Sequence, residues 1–340
     1  MKYLCLIFAG QAARELFQSA DAGLMKNKRI CYLNSLFPDL SIEREMLAGT
    51  GFELVPVRIQ GEIIDQIADA VAITTHEVPI TESVAARLPN CKVITRMGVG
   101  FDIIDVPGCR KYGIQVCYVP AYGTEDVANH AIALLFAVHR HLLQYHRSVE
   151  VGHWDYNVAG PNHFLKELRL GVFGLGRIGS DFAEKMRVFV KEILGYDPNL
   201  SKATIESKGA KPSSPEEIFS QCEIISLHLP YSPDSHHFIS DREIDMMTQK
   251  PILINVSRGG LVDTQALIRG LRTNRLSGAG LDVLETEPKV DQELLRFENV
   301  IVTPHVAWFS VEASQKLRRT AMTDILRILS GQAPLYPVPR

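Results

Sequence analysis

Gly174, Gly176 and Gly179 stand in the spacing G-x-G-x-x-G within Leu170-Gly171-Val172-Phe173-Gly174-Leu175-Gly176-Arg177-Ile178-Gly179. The chemistry open to such a loop is the capture of a pyrophosphate. One glycine makes a tight turn, another lets backbone N–H groups approach the phosphates, and a third lets the following helix pack closely on the strand. The helix opening near Arg177 adds unpaired N–H donors and the positive end of its dipole. A second apolar run ends in Asp197, at about the 20-residue offset where this unit needs an acid for the adenosine ribose hydroxyls. A carboxylate there repels a 2′-phosphate, so the expected cofactor is NAD; a turn or capping role before Pro198 is the alternative. Three later segments also end predicted strands: Asn255-Val256-Ser257-Arg258-Gly259-Gly260, Leu281-Asp282-Val283-Leu284-Glu285-Thr286-Glu287-Pro288 and Thr303-Pro304-His305-Val306-Ala307-Trp308. Ligands of open α/β sheets bind at the carboxyl ends of strands, so these segments are expected to converge on one crevice.

Such loops need a frame, and the chain supplies strand and helix patterns in alternation. Strands are predicted over residues 28–34, 52–57, 70–74 and 92–95, with helices near 41–47, 62–67 and 81–88 between them. After the glycine motif the strands are 192–196, 224–229, 252–256, 279–283 and 300–303, with helices near 216–220, 241–247 and 265–273. This alternation points to parallel sheets covered on both faces. Residues 125–147 give the longest helix signal, apolar around much of the circumference and therefore expected to be buried. An irregular aromatic-rich loop, 151–163, follows it, and a helix near 311–330 closes the chain.

Composition narrows the partners. A length of 340 residues suggests two domains, and 46% hydrophobic residues suit a substantial core. A net charge of −3, without runs of one sign, favours neither nucleic acid nor an acidic membrane surface. The apolar start, Tyr3 to Ala9, is short and soon meets Arg14 and Glu15, so it is read as a strand or peripheral segment and not an export signal. The six cysteines are scattered, which fits a reduced cytoplasmic protein with buried thiols and no zinc. His139, His141 and His146 lack an evident acidic partner and are read as a solvated or dimer-facing set; no metal is expected.

Taken together, the segments resemble the NAD-dependent D-2-hydroxyacid dehydrogenases over about nine-tenths of the chain, from Lys28 to Gly331. Arg96-Met97-Gly98-Val99-Gly100-Phe101-Asp102 and His305-Val306-Ala307-Trp308-Phe309-Ser310 are most similar to the C-terminal binding protein branch. The resemblance implies an α/β fold of two Rossmann-like or flavodoxin-like doubly wound parallel-sheet domains with a crevice between them. Residues 1–120 plus 308–340 would form a discontinuous substrate-binding domain, and 121–307 the NAD-binding domain. It implies a homodimer built on the long helix and the irregular loop. The family's catalytic residues fall on Arg258, Glu287 and His305.

The reaction explains those residue types. Hydride delivery to a 2-keto carbon develops an alkoxide that needs a proton and electrostatic support. An imidazole titrates near neutrality, so His305 suits the donor and, in reverse, the acceptor. Glu287 would hold its other N–H, and Arg258 could engage carboxylate and carbonyl oxygen with one planar fork. Val99 and Gly100 match the loop whose amides hold the substrate carboxylate. Arg96 could pair with the substrate or with a domain carboxylate. Thr75 and His76 end a strand and are placed at the substrate, with a structural role the alternative for His76. Trp308 matches an aromatic pocket residue, with hinge packing as its alternative. On the cofactor side, Arg177 and Ile178 would cover the pyrophosphate, Pro230 and Ser235 line adenine and ribose, Val256 and Ser257 lie along the cofactor, and Asp282 sits near the carboxamide. Residues 1–27 have no clear family counterpart, and the short stretch after the terminal helix leaves no room for the regulatory domain of many phosphoglycerate dehydrogenases. The rival reading is an NAD(H)-sensing, corepressor-like scaffold; an oxyanion other than a carboxylate is the rival substrate.

Overall fold

A computed structural model describes residues 28–339. The predicted N-terminal strand and Cys5 lie outside the described residues. Two compact units divide the chain: residues up to Tyr122 together with those from Val311 onward, and Gly123–Ser310.

The first unit alternates β1 (Arg29–Leu33), α1 (Ser41–Leu47), β2 (Glu53–Val57), α2 (Ile64–Ile67), β3 (Ala72–Thr75), α3 (Glu82–Ala85), β4 (Val93–Arg96), α4 (Val106–Lys111) and β5 (Gln115–Cys117). The strands pair in parallel in the order β2-β1-β3-β4-β5, the flavodoxin-like arrangement with its reversal between β1 and β3. The last helix, α12 (Val311–Leu329), returns to cover one face. It carries Arg318, whose Nε donates to Glu43 Oε1 on α1 at 2.7 Å. With side-chain exposures of 8% and 1%, each ion of that pair needs the other to offset its lost hydration. The C-terminal residues cover the edge of β5: Val338 N–H donates to Val116 and Tyr118 N–H to Tyr336, which blunts an otherwise open strand edge.

The second unit begins with α5 (Thr124–His139) and α6 (Leu142–Glu150). Then come β6 (Arg169–Phe173), α7 (Arg177–Met186), β7 (Glu192–Tyr196), α8 (Lys202–Ser207), β8 (Lys211–Pro212), α9 (Pro215–Gln221), β9 (Ile224–Leu227), α10 (Asp241–Met246), β10 (Ile252–Asn255), α11 (Thr264–Arg272), β11 (Gly278–Leu281) and β12 (Val300–Val302). The parallel order β12-β11-β10-β9-β6-β7-β8 is a Rossmann sheet extended by one strand. Its order reverses between β6 and β9, the place where such sheets bind ligands. Every residue of β9, β10 and β11 is buried, as expected for central strands covered on both faces.

The structure differs from the sequence expectation in the long helix. Residues 125–147 are not one helix: α5 ends at His139, and His141 takes the left-handed conformation (φ 52°) before α6 begins. The two pieces also differ in burial. α5 buries Val127, Ala128, Ala131, Leu134, Leu135 and Val138, whereas Leu142 and Val149 of α6 are exposed. No proline or glycine marks the break, because a histidine occupies the position. The short elements α4, α8, β5 and β8 were also not anticipated, being too brief to show a period.

Candidate active site

The loops after β10, β11 and β12 carry Arg258, Glu287 and His305, and the glycine loop follows β6, all within the second unit. The glycines divide their work as the spacing implies. Gly174 has φ +88°, and a Cβ there would lie 2.6 Å from the His228 carbonyl carbon and oxygen. A Cβ on Gly179 would lie 1.9 Å from the Gly174 carbonyl oxygen, so helix and loop touch backbone to backbone. Gly176 meets nothing within 4 Å. That open side, with no side chain capping α7 at Gly176, leaves the first N–H groups of α7 for an anion. Asp197 accepts from Leu175 N–H (2.9 Å) and Asn199 N–H (3.0 Å). Its turn-capping role is therefore present, and an ionised carboxylate, with about four acceptor sites, retains capacity for ribose hydroxyls. Ser235 Oγ donates to Pro230 O at 3.0 Å and closes the loop between them.

Arg258 sits on a loop braced by a side chain the sequence reading left without a role. Asn255, buried at the end of β10, donates from Nδ2 to Arg258 O (2.9 Å) and accepts from Ser257 N–H (3.1 Å). Ser257 Oγ donates to Leu229 O at 2.5 Å. A Cβ on Gly259 would fall 1.9 Å from the carbonyl of Leu284, so the arginine loop lies directly on the loop that carries Glu287.

Glu287 in turn meets His305. Its Oε1 accepts from Leu284 N–H (2.9 Å), and its Oε2 lies 2.8 Å from His305 Nδ1. Burial pushes the Glu287 carboxyl up, but the His305 hydrogen bond and charge, the Leu284 amide and the Arg258 charge together hold it below the ordinary glutamate range. An ionised acceptor fixes the proton on Nδ1 and leaves His305 Nε2 for a reacting oxygen. His305 itself has φ 55°, an uncommon conformation for a side chain with a Cβ. Its N–H reaches Asp282 O (2.9 Å) and Thr303 O (3.0 Å).

Arginine, glutamate and histidine at the ends of successive parallel strands, beside a dinucleotide loop, agree with the family model for the D-isomer specific 2-hydroxyacid dehydrogenase NAD-binding domain, which matches residues 132–307. The chain is 33% identical to the glyoxylate reductase of Thermococcus litoralis over 285 residues, covering 81% of this chain and 85% of that one. The chain belongs to the D-isomer-specific 2-hydroxyacid dehydrogenases. The hydroxypyruvate reductase of Blautia hydrogenotrophica is 31% identical over 276 residues, 79% of this chain and 85% of that protein. The D-lactate dehydrogenase of Aquifex aeolicus, solved with NAD and lactic acid, superposes with a TM-score of 0.80 at 29% identity, covering 89% and 96%. The chain is an NAD-dependent oxidoreductase of this family. The likeness to the C-terminal binding protein branch rests on the sequence segments alone.

The remaining expected residues of the dehydrogenase fall in varied settings. On the first unit, Val99 and Gly100 follow β4, and among the described residues neither N–H has a hydrogen-bond partner. Arg96 donates from Nη1 to Met97 O (3.0 Å), and its guanidinium covers Gly98 where a Cβ would stand. Thr75 is fully buried, and its hydroxyl is spent on Val78 N–H and O (3.0 and 3.1 Å). His76 is 5% exposed, lies 3.2 Å from Tyr32 Oη and is stacked on that ring. Burial, with the Arg96 charge, drives its pKa down to about 3, so the ring is neutral near neutral pH. On the second unit, Trp308 packs partly buried against the core, and Val256 is buried there. Asp282 is 2% exposed, and its oxygens accept from Val306 N–H, Ala307 N–H and Thr303 Oγ1. His139 bonds the His163 carbonyl, and His146 lies 3.4 Å from Glu150, so those histidines have separate partners. Among the described residues no helix is long and apolar enough to cross a membrane.

The contact at Gly259 makes a prediction. Gly259→Ala should separate the arginine loop from the glutamate loop and destabilise the protein by about 1–3 kcal/mol, with kcat/KM falling further than that loss of stability explains. Urea unfolding alongside steady-state kinetics checks both.

Proposed function

We propose that the dehydrogenase interconverts a small 2-keto acid, of the size of glyoxylate or hydroxypyruvate, and its D-2-hydroxy acid. In this reading His305 is the acid/base, Glu287 supports it, and Arg258 binds and polarises the substrate. The observation that carries the reading is the 2.8 Å contact between His305 Nδ1 and Glu287 Oε2, on a loop held against that of Arg258. NAD, when bound, supplies or accepts the hydride. The glycine loop, with Arg177 and Ile178, holds the pyrophosphate; Asp197 serves the ribose, and Pro230 and Ser235 border the adenosine.

The chain's own groups then do the following. The planar fork of Arg258 pairs with the substrate carboxylate and draws electron density toward the carbonyl oxygen. His305 Nε2 donates its proton to the oxygen as it gains charge, and Nδ1–H stays on Glu287, which stabilises the ring in both protonation states. In the oxidative direction Nε2 takes the proton back. The names of the relatives support the substrate size, and the partly exposed His305 and Glu287, at 41% and 37%, support access to it.

We also infer a homodimer and a cytoplasmic setting. Trp154, Tyr156 and Phe164 follow α6 at 90%, 83% and 84% exposure, more apolar surface than a monomer retains without a use for it. The five described cysteines are free and buried, which fits a reducing compartment.

Kinetics and mass test these readings. With NADH and glyoxylate or hydroxypyruvate, His305→Ala should lower kcat by about 10²–10⁴-fold, and Arg258→Lys should lower kcat/KM by about 10- to 100-fold. Wild-type rates in His305→Ala would overturn the assignment. Sedimentation should give twice the 37.9 kDa chain mass, and Trp154→Ser with Phe164→Ser should shift it to one chain.

A further inference from the structure

We propose that His130 is a positioning residue for proton transfer at His305, acting through Thr303 and the buried carboxylate of Asp282. The inference rests on the assignment of His305 as the acid/base. His130 lies on α5, away from the strand-end motifs in the sequence. Its Nε2 is 2.9 Å from Thr303 Oγ1 and 3.6 Å from Asp282 Oδ1. Thr303 Oγ1 is 2.6 Å from Asp282 Oδ1. A threonine hydroxyl has one proton, and an ionised aspartate can only accept, so that proton goes to Asp282. Thr303 is then an acceptor toward His130, and His130 Nε2 carries a hydrogen. The direction of the chain is fixed: His130 Nε2–H donates to Thr303 Oγ1, and Thr303 Oγ1–H donates to Asp282 Oδ1.

What this chain holds is the catalytic loop. Asp282 accepts from Val306 N–H through Oδ1 and from Ala307 N–H through Oδ2, both at 2.9 Å. Those are the two residues after His305, whose left-handed backbone persists only if its surroundings over-determine it. With 1% of its side chain exposed, Asp282 has no water to replace a lost donor, so its charge must be met by the protein. Removing the His130 donor frees Thr303 Oγ1 to rotate away from Asp282. The carboxylate then loses a partner, and the grip on the amides of Val306 and Ala307 loosens. A shift of His305 Nε2 by a fraction of an ångström is enough to slow proton transfer.

The test uses the full-length enzyme with NADH and glyoxylate or hydroxypyruvate, together with amide hydrogen exchange over residues 303–309. His130→Phe fills the ring volume without a donor. It should lower kcat on the order of 10-fold, leave KM and NADH affinity little changed, and speed exchange at Val306 and Ala307. His130→Gln, whose amide nitrogen reaches as far as an imidazole Nε2, should recover most of that loss. Thr303→Val cuts the same chain, so adding His130→Phe to it should cause little further loss. Full additivity in that pair, or unchanged exchange at Val306 and Ala307 in His130→Phe, overturns the proposal. Activity surviving in His305→Ala would instead overturn the acid/base assignment, and the exchange measurement still decides whether His130 holds the loop.

Discussion

The grip of one buried carboxylate on the residues after His305 is the contact on which the active-site geometry depends. A left-handed backbone at a non-glycine residue costs on the order of 1–3 kcal/mol, and His305 bears it because the loop after β12 is tied down on both sides. Its own N–H bonds back to the ends of β11 and β12, and Asp282 accepts the next two. Without that bend the chain would run on from β12 and carry the imidazole away from Glu287. The strain at His305 is thus the local consequence of turning a strand end back toward its neighbour.

The same economy recurs at the arginine. Asn255 ends β10 opposite Leu281 of β11, and like Asp282, one residue past that strand, it spends a buried polar side chain on the backbone of the loop that follows. Gly259 then brings this loop against Leu284. Arg258, Glu287 and His305, on three loops, are held in one frame because short polar side chains at strand ends, and one missing Cβ, replace the slack a loop would otherwise have. Sites carried on rigid elements hold their geometry better than sites on free loops.

Much of this was legible in the sequence, and for physical reasons. Central strands such as 224–227 and 252–255 are nearly uninterrupted apolar runs, and the glycine spacing specifies a turn, an open cradle and a close helix contact that the backbone goes on to show. The proposed roles of Arg258, Glu287 and His305 follow from what an alkoxide and a carboxylate need. The braces were not legible. Asn255 and Thr303 stood in quoted segments, but a side chain that bonds to backbone leaves no periodic mark. His130 lies far from them in sequence, and only the packing of α5 on β11 and β12 brings it to Thr303. Thr75 and His76 stand at a strand end where substrate residues are expected, and their burial and local hydrogen bonds carry no mark in the sequence. The break at His141 was hidden because histidine is not a residue that announces a left-handed turn.

The most direct test of this account is Asp282→Asn, an isosteric change that sets an amide donor against backbone N–H groups. Kinetics and NADH binding should be measured on the same folded preparation. If Asp282 brackets the loop after His305, kcat falls by about 10²-fold, beyond any change in NADH affinity. An unchanged kcat would contradict it, and a loss confined to NADH affinity would mean that Asp282 serves the cofactor and not the loop.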